Sequence, residues 1–114
     1  MDAETDDAAL SVARPAHRQH HQSLVKLWHD FGAEPAGRGF TDDLDLMIGA
    51  RVAFVGSPGR VRDQLLEWAE TSGCNYLVCH LHFGGMTHEQ ALRSLTLFAE
   101  EVMPAFTARD AVPR

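Results

Sequence analysis

The chain has 114 residues, a formal net charge of −6 and 45% hydrophobic residues. This is the size and composition of one small globular domain, so a single compact core is possible. The negative charge argues against nucleic acid or an anionic membrane as a partner, because both need a basic surface, and no apolar run reaches the roughly 20 residues of a membrane span.

The first predicted segment, residues 1–15, is an acidic, alanine-rich tail that we expect to be flexible. It lacks the apolar core of a signal peptide, which favours a cytoplasmic protein. Two cysteines, Cys74 and Cys79, are too few for a disulfide framework, and free thiols fit a reducing compartment.

The first predicted helix begins at about residue 16 and ends at Gly32. Its apolar stripe follows the spacing i, i+3, i+4, i+7 at Leu24, Leu27, Trp28 and Phe31.

A loop at 32–39 and a short helix at 41–50 precede a short β-rich run at 51–56. A second long helix is predicted for 57–73, with Ser57 at its N-cap.

Residues 76–83 are predicted to form a second strand, and Thr87 with Gln90 makes a capping box that begins the last helix, which Pro104 closes. The order strand, helix, strand, helix predicts an α/β fold with two parallel strands in right-handed βαβ geometry. Because two parallel strands offer too little sheet to be covered on both faces, a partner chain or a larger protein is expected to complete it.

Several short pieces in fixed order carry a family resemblance. They are the helix around SL (23–24), LW (27–28) and FG (31–32), then VGSP (55–58), Gly73 with NYL (75–77), FGGM (83–86), SL (94–95) and FAEEVMP (98–104). This series resembles the C-terminal part of the bacterial-luciferase-like, FMN-dependent monooxygenases. One departure stands after Pro58: the family usually has an acidic residue there, whereas this chain has Gly59 followed by Arg60.

The family fold is a (β/α)₈ barrel. The resemblance therefore implies that residues 16–106 form the last two βα units of such a barrel plus a preceding helix or helices, followed by a C-terminal tail at 107–114. A complete barrel needs about 250 residues or more. The chain is thus expected to be an incomplete part of a flavin-dependent oxidoreductase.

The resemblance also implies partners and a cofactor. The cofactor would be FMN, with reduced flavin supplied by a flavin reductase. Either copies of this chain in a homo-oligomer or a separate chain would supply the rest of the barrel. The alternative left open is a non-catalytic, self-associating remnant of that fold that acts as a binding or assembly module.

Side chains alternate along a strand, so one face of 76–83 carries both histidines, His80 and His82. In a barrel these would point inward, with His82 nearest the end where active sites lie. No catalytic residue is assigned. The candidate residues for a flavin or substrate pocket are His80, His82, Phe83, Gly84, Gly85 and Met86.

Each candidate also has a plainer interpretation. A histidine in a strand is often a hydrogen-bonded structural residue, and that alternative stays open for His80 and His82. Together with His88 they would make a three-histidine metal site, but no carboxylate or thiol joins them on that strand face, so no metal is predicted.

Two further patterns receive a structural interpretation. Gly56 to Gly59 opens a helix as a phosphate loop would, but it matches neither phosphate-binding motif, and Ser57 as an N-cap explains it. A histidine cluster in the first helix is expected to lie on a solvated face. Its members are His17, His20 and His21.

Overall fold

The computed structural model describes residues 1–32 and 41–110, and these residues are helical or irregular. A π-helical turn at Phe98–Val102 joins the last two helices into one continuous element, with the Met103 N–H bonded to the Phe98 carbonyl. The helices are α1 (Asp6–Asp30), α2 (Leu44–Gly49), α3 (Pro58–Ser72), α4 (His88–Leu97) and α5 (Met103–Asp110).

The predicted α/β fold, a partial (β/α)₈ barrel, is wrong, because the described residues contain no strand. Residues 51–56 and 76–83 do not pair with each other. Residues 54–56 instead bond to the chain's first residues: the Met1 N–H group donates to the Phe54 carbonyl at 2.7 Å, and Gly56 N–H donates to the Met1 carbonyl at 3.2 Å. A single parallel bridge between Asp2 and Gly56 results.

The failure of 76–83 to form a strand has a physical basis. A parallel pair is stable only where both of its faces are covered. Here Tyr76 and Val78 are about four-fifths exposed, at 82% and 81%. Within the described part of the chain, the backbone of 76–82 makes no hydrogen bond to another segment.

The structure also differs from the predicted flexible tail at 1–15. Residues from Asp6 onward belong to α1. Its N-cap residue is Thr5, whose hydroxyl accepts the Ala8 N–H at 3.1 Å. Ala9 and Ala13, one helical turn apart, are fully buried. Because alanine has the highest helix propensity and lets another element approach closely, the alanine-rich composition favours a packed helix.

Two apolar clusters form the core. The first packs α1 against the chain's first residues, α2 and the turn before α4, while the second packs α3 against the π-helical turn and α5. The first consists of Met1, Ala3, Ala9, Ala13, Ala16, Leu44, Val55 and Met86. The second consists of Val61, Leu65 and Val102, with Phe54, Phe98 and Phe106 beside them.

The start of α3 is capped from α1. Ser57 is the N-cap residue, but its side chain makes no capping bond. Its N–H donates to Asp6 Oδ1 at 2.7 Å, and Arg60 Nε binds Asp6 Oδ2 at 3.0 Å. The Ser57 N–H bond, followed by the charge of Arg60, holds the pKa of Asp6 below its ordinary value. The helix end that resembled a phosphate site therefore holds a carboxylate of this chain.

Two local predictions are confirmed, the end of α3 and the capping box of α4, whereas the last helix does not close at Pro104, which lies inside α5. Helix α3 ends at Gly73 in the left-handed conformation, with φ of 70°. The Thr87 hydroxyl accepts the Gln90 N–H at 3.1 Å, and the Gln90 side chain accepts the Thr87 N–H at 2.9 Å, which completes the capping box.

At the C-terminal end, the predicted tail at 107–114 differs from the structure, because α5 continues through Asp110. Residues 111–114 lie outside the described part of the chain. No helix in residues 1–32 and 41–110 combines the length and apolar character that a membrane crossing requires.

Candidate functional site

A cavity of about 530 Å³ lies between α1, α3, residues 51–55 and residues 77–83. Its wall is mainly apolar, as in most small-molecule sites, and this volume falls in the range of ligand pockets. The aromatic and imidazole side chains in its wall are His17, His20, Phe54, Trp68, His80 and Phe83.

Three rings form a cluster at one side of the cavity. His20, on α1, contacts the His80 ring at 6.0 Å and the Phe83 ring at 6.3 Å between centroids, both edge to face. His80 and Phe83 are 6.4 Å apart. Edge-to-face pairs at such distances are favourable beyond simple burial. This ring cluster connects α1 to the irregular segment 74–83, which we call the strap.

The strap runs from the end of α3 to α1 across the cavity. It begins after Gly73 and ends at the turn where Gly84, with φ of 58°, lies against the α1 backbone at Ala16. A Cβ atom at Gly84 would overlap the Ala16 carbonyl. The contact therefore requires glycine for both its conformation and its size.

The histidines of α1 are in different environments. His17 is buried, and its Nε2 lies 2.9 Å from the Thr41 carbonyl oxygen; because a carbonyl can only accept, this nitrogen carries the proton. His20 is half-buried. Burial, followed by the charges of His80, His17 and His21, lowers the pKa of His20 below its ordinary value.

The predicted site residues separate into two groups. His80 and Phe83 line the cavity. Of the remaining four, Gly84, Gly85 and Met86 belong to the turn that joins the strap to α4, and His82 lies near the end of the strap beside that turn.

That turn has a structural role. His82 Nε2 bonds to the Met86 carbonyl at 3.3 Å and so closes it, and the Met86 side chain is buried in the first core cluster. A Cβ atom at Gly85 would meet only the Gln19 side chain, at 3.8 Å.

The predicted alternation of side chains along 76–83 is wrong. Leu77, Cys79 and Leu81 line the same cavity as Val78 and His80, although a strand would place these two sets on opposite faces. The strap therefore covers the cavity with consecutive residues.

The predicted solvated face of the first helix is also wrong at two positions, His17 and His20. Their i, i+3 spacing was visible in the sequence, but a polar surface stripe has the same spacing. Only the contact with the strap shows that these histidines are covered rather than exposed to solvent. Within residues 1–32 and 41–110, no three His, Cys, Asp or Glu side chains are grouped so that they could hold a metal ion.

No protein-family profile matches the chain. No solved structure matches it either. A stretch of 95 residues, 83% of the chain, is 30% identical to the uncharacterized protein y4wF of Sinorhizobium fredii. The chain spans 28% of the length of that relative, which is therefore roughly 340 residues long (95 divided by 0.28).

Proposed function

We propose that this chain is one part of a flavin-dependent monooxygenase similar to bacterial luciferase, and that its cavity binds an apolar portion of the flavin or the substrate. The observation that carries the proposal is the cavity of about 530 Å³ with His80 and Phe83 in its wall. Phe83 belongs to one of the pieces on which the family resemblance depends, and His80 lies between two of them. The proposal requires no barrel within this chain.

The residues of the cavity wall fit the flavin ring of FMN but not its phosphate. Aromatic and imidazole rings in an apolar wall suit a planar, uncharged ring system. A phosphate needs cationic or N–H donors. Among the described residues of the cavity wall, Arg51 is the one permanently charged side chain, and its Nη1 already donates to the Ile48 carbonyl at 3.2 Å.

The phosphate is therefore expected to bind residues outside this chain. The relative of roughly 340 residues supports this division, since 28% of it corresponds to the present chain. When bound, reduced flavin would supply electrons for reaction with oxygen. The part assigned to this chain is to hold a flat apolar group against His80 and Phe83 and to keep water from it.

Flavin binding is expected to depend on the ring cluster. Phe83→Ala should weaken FMN binding about fivefold to tenfold, because one aromatic contact contributes roughly 1 kcal/mol. The measurement is quenching of FMN fluorescence on titration with wild type and with His80→Ala and Phe83→Ala.

His88→Gln is the matched control, because His88 begins α4 and does not line the cavity. Equal affinity in all variants, or no binding by wild type, would contradict the binding of flavin in this cavity. Far-UV circular dichroism establishes that each variant keeps its helices.

A second function, self-association as a binding or assembly module, is favoured by apolar surface on α1 and the residue after it. Leu24, Leu27, Trp28 and Phe31 follow one another along this stretch and are 45% to 83% exposed. A contiguous exposed apolar patch is typical of an interaction surface.

Self-association predicts that light scattering coupled to size exclusion finds a defined oligomer and that Leu27→Glu converts it to monomer. Thr71→Glu, at an exposed polar position of α3, is the control for added charge. A monomeric wild type would rule out this second function and leave the surface to the rest of a larger protein.

A further inference from the structure

The strap is held to α1 by side chains rather than by backbone bonds. In the described part of the chain, residues 76–82 have no backbone hydrogen bond to another segment. Its ring contacts with α1 are those of His80 and Phe83 with His20. The Gly84 turn beside Ala16 fixes one end of the strap, and the Gly73 cap of α3 fixes the other.

We propose that the strap is a pH-sensitive cover: it is closed over the cavity while His20 is neutral, and it opens when His20 becomes protonated against the rings of His80 and Phe83. A proton on His20 is disfavoured in this position, first by the partial burial of His20 and then by the charge of His80, whose ring lies 6.0 Å away. The contact that closes the strap would then become unfavourable.

The electrostatic surroundings favour opening in acid. Burial lowers the pKa of His20 and the neighbouring histidine charges lower it further, so the closed state binds the proton of His20 less readily than the open state. The lowered pKa of His20 therefore favours the closed state at a pH above about 6.5, the ordinary pKa of histidine. This preference is lost as the pH falls below that value. Closure should therefore be complete at neutral pH and weaken in acid.

Titratable and charged groups from the neighbouring elements surround the ring pair. The charges that act on His20 within the described residues are those of other histidines, and no carboxylate is among them. On the strap, the Cys79 thiol interacts with the Met1 amine and Asp2 rather than with His20. The groups whose charges act on His20 besides His80 are His17 and His21 of α1, while Cys79, Arg51 and Met1 are other titratable or charged residues of the cavity wall.

The ring contacts can be observed directly by nuclear magnetic resonance in the unliganded protein. At about pH 7.5, nuclear Overhauser effects are expected between the His20 and Phe83 rings; at about pH 5, below the ordinary histidine pKa, they should be lost. His80→Phe keeps a ring but removes one charge, so its contacts should persist in acid. His88→Gln, the control, should behave as wild type.

Two results would overturn the proposal. One is a wild-type contact that persists after His20 has titrated. The other is loss of helical circular dichroism over the same pH range, which would show global unfolding rather than opening of the strap.

A second variant keeps the test decisive if His80→Phe does not fold. His20→Phe removes the same charge pair from the other side and should keep the strap closed in acid. Closure is then judged by contacts of Phe83 with His80 and with the new phenyl ring on α1. The measurement uses no flavin, so its outcome is independent of the proposed flavin binding.

Discussion

Gly84→Ala is expected to lower the free energy of unfolding by about 3 kcal/mol, the largest single-residue effect we predict. Two causes add. The φ of 58° is unfavourable for any residue with a Cβ atom, and the new methyl group would overlap the Ala16 backbone carbonyl in α1. Because backbone cannot move aside as a side chain can, the turn and α1 would have to separate.

Gly85→Ala is the matched control for this prediction. Gly85 does not have a positive φ, and the nearest atom to its added Cβ would be Gln19 Cγ at 3.8 Å, an ordinary contact. Its effect should stay below about 1 kcal/mol. Urea unfolding followed by circular dichroism measures both variants. Equal destabilisation by the two would show that the Gly84 turn does not contact α1 as described.

The second large effect concerns Asp2, whose carboxylate is buried at 1% exposure. Neither of its side-chain oxygens has a hydrogen-bond partner among the described residues, although its N–H donates to Ser94 Oγ at 2.9 Å. Burial raises the pKa of Asp2 to about 6 from 3.8, with the Met1 amine opposing this shift and Glu101 adding to it.

The sign of the pH dependence follows from that shift. Between about pH 4 and about pH 6 the folded state binds more protons at Asp2 than the unfolded state, so stability decreases as the pH rises through this range. Burial lowers the pKa of the Met1 amine, which gives the opposite slope in a range that ends at the ordinary value of 8.0. Because the pKa of Asp2 in the folded state is about 6, the loss of stability due to Asp2 is almost complete at neutral pH.

Asp2→Asn is expected to stabilise the chain by about 2 kcal/mol at about pH 7.5, since one pKa unit corresponds to about 1.4 kcal/mol and the Met1 amine offsets part of the gain. At about pH 4, where Asp2 is protonated in the folded state, the variant and wild type should unfold alike. Thermal unfolding at both pH values measures the difference.

Asp42→Asn is the control for this substitution, because it removes the same charge at an exposed position. A stabilisation of Asp2→Asn that is equal at both pH values would contradict the assignment to a buried carboxylate. So would an equal gain from Asp42→Asn.

Some features were determined by the sequence alone because they depend on neighbouring residues. A capping box needs only Thr87 and Gln90, three residues apart, and a helix that ends in a left-handed residue needs only Gly73. The two longest helices were recognised from apolar spacing, although α1 begins ten residues before the predicted start at 16, at Asp6.

The candidate site was only partly predictable. The strap was identified as chemically interesting from its two histidines, and His80 does line the cavity. His20, its partner on α1, was assigned to solvent, because the spacing of a helical stripe does not say which element covers it.

Tertiary structure decided the rest, and the reason lies in the range of the interactions. A strand is stable only when another segment bonds to it, so apolar alternation at 76–83 could not establish a strand without a partner. Residues 54–56 bond instead to the first residues of the chain, whose acidic composition predicted a tail. Helix caps are local and were determined by the sequence, whereas the strap, the cavity and the burial of Asp2 depend on contacts between distant residues.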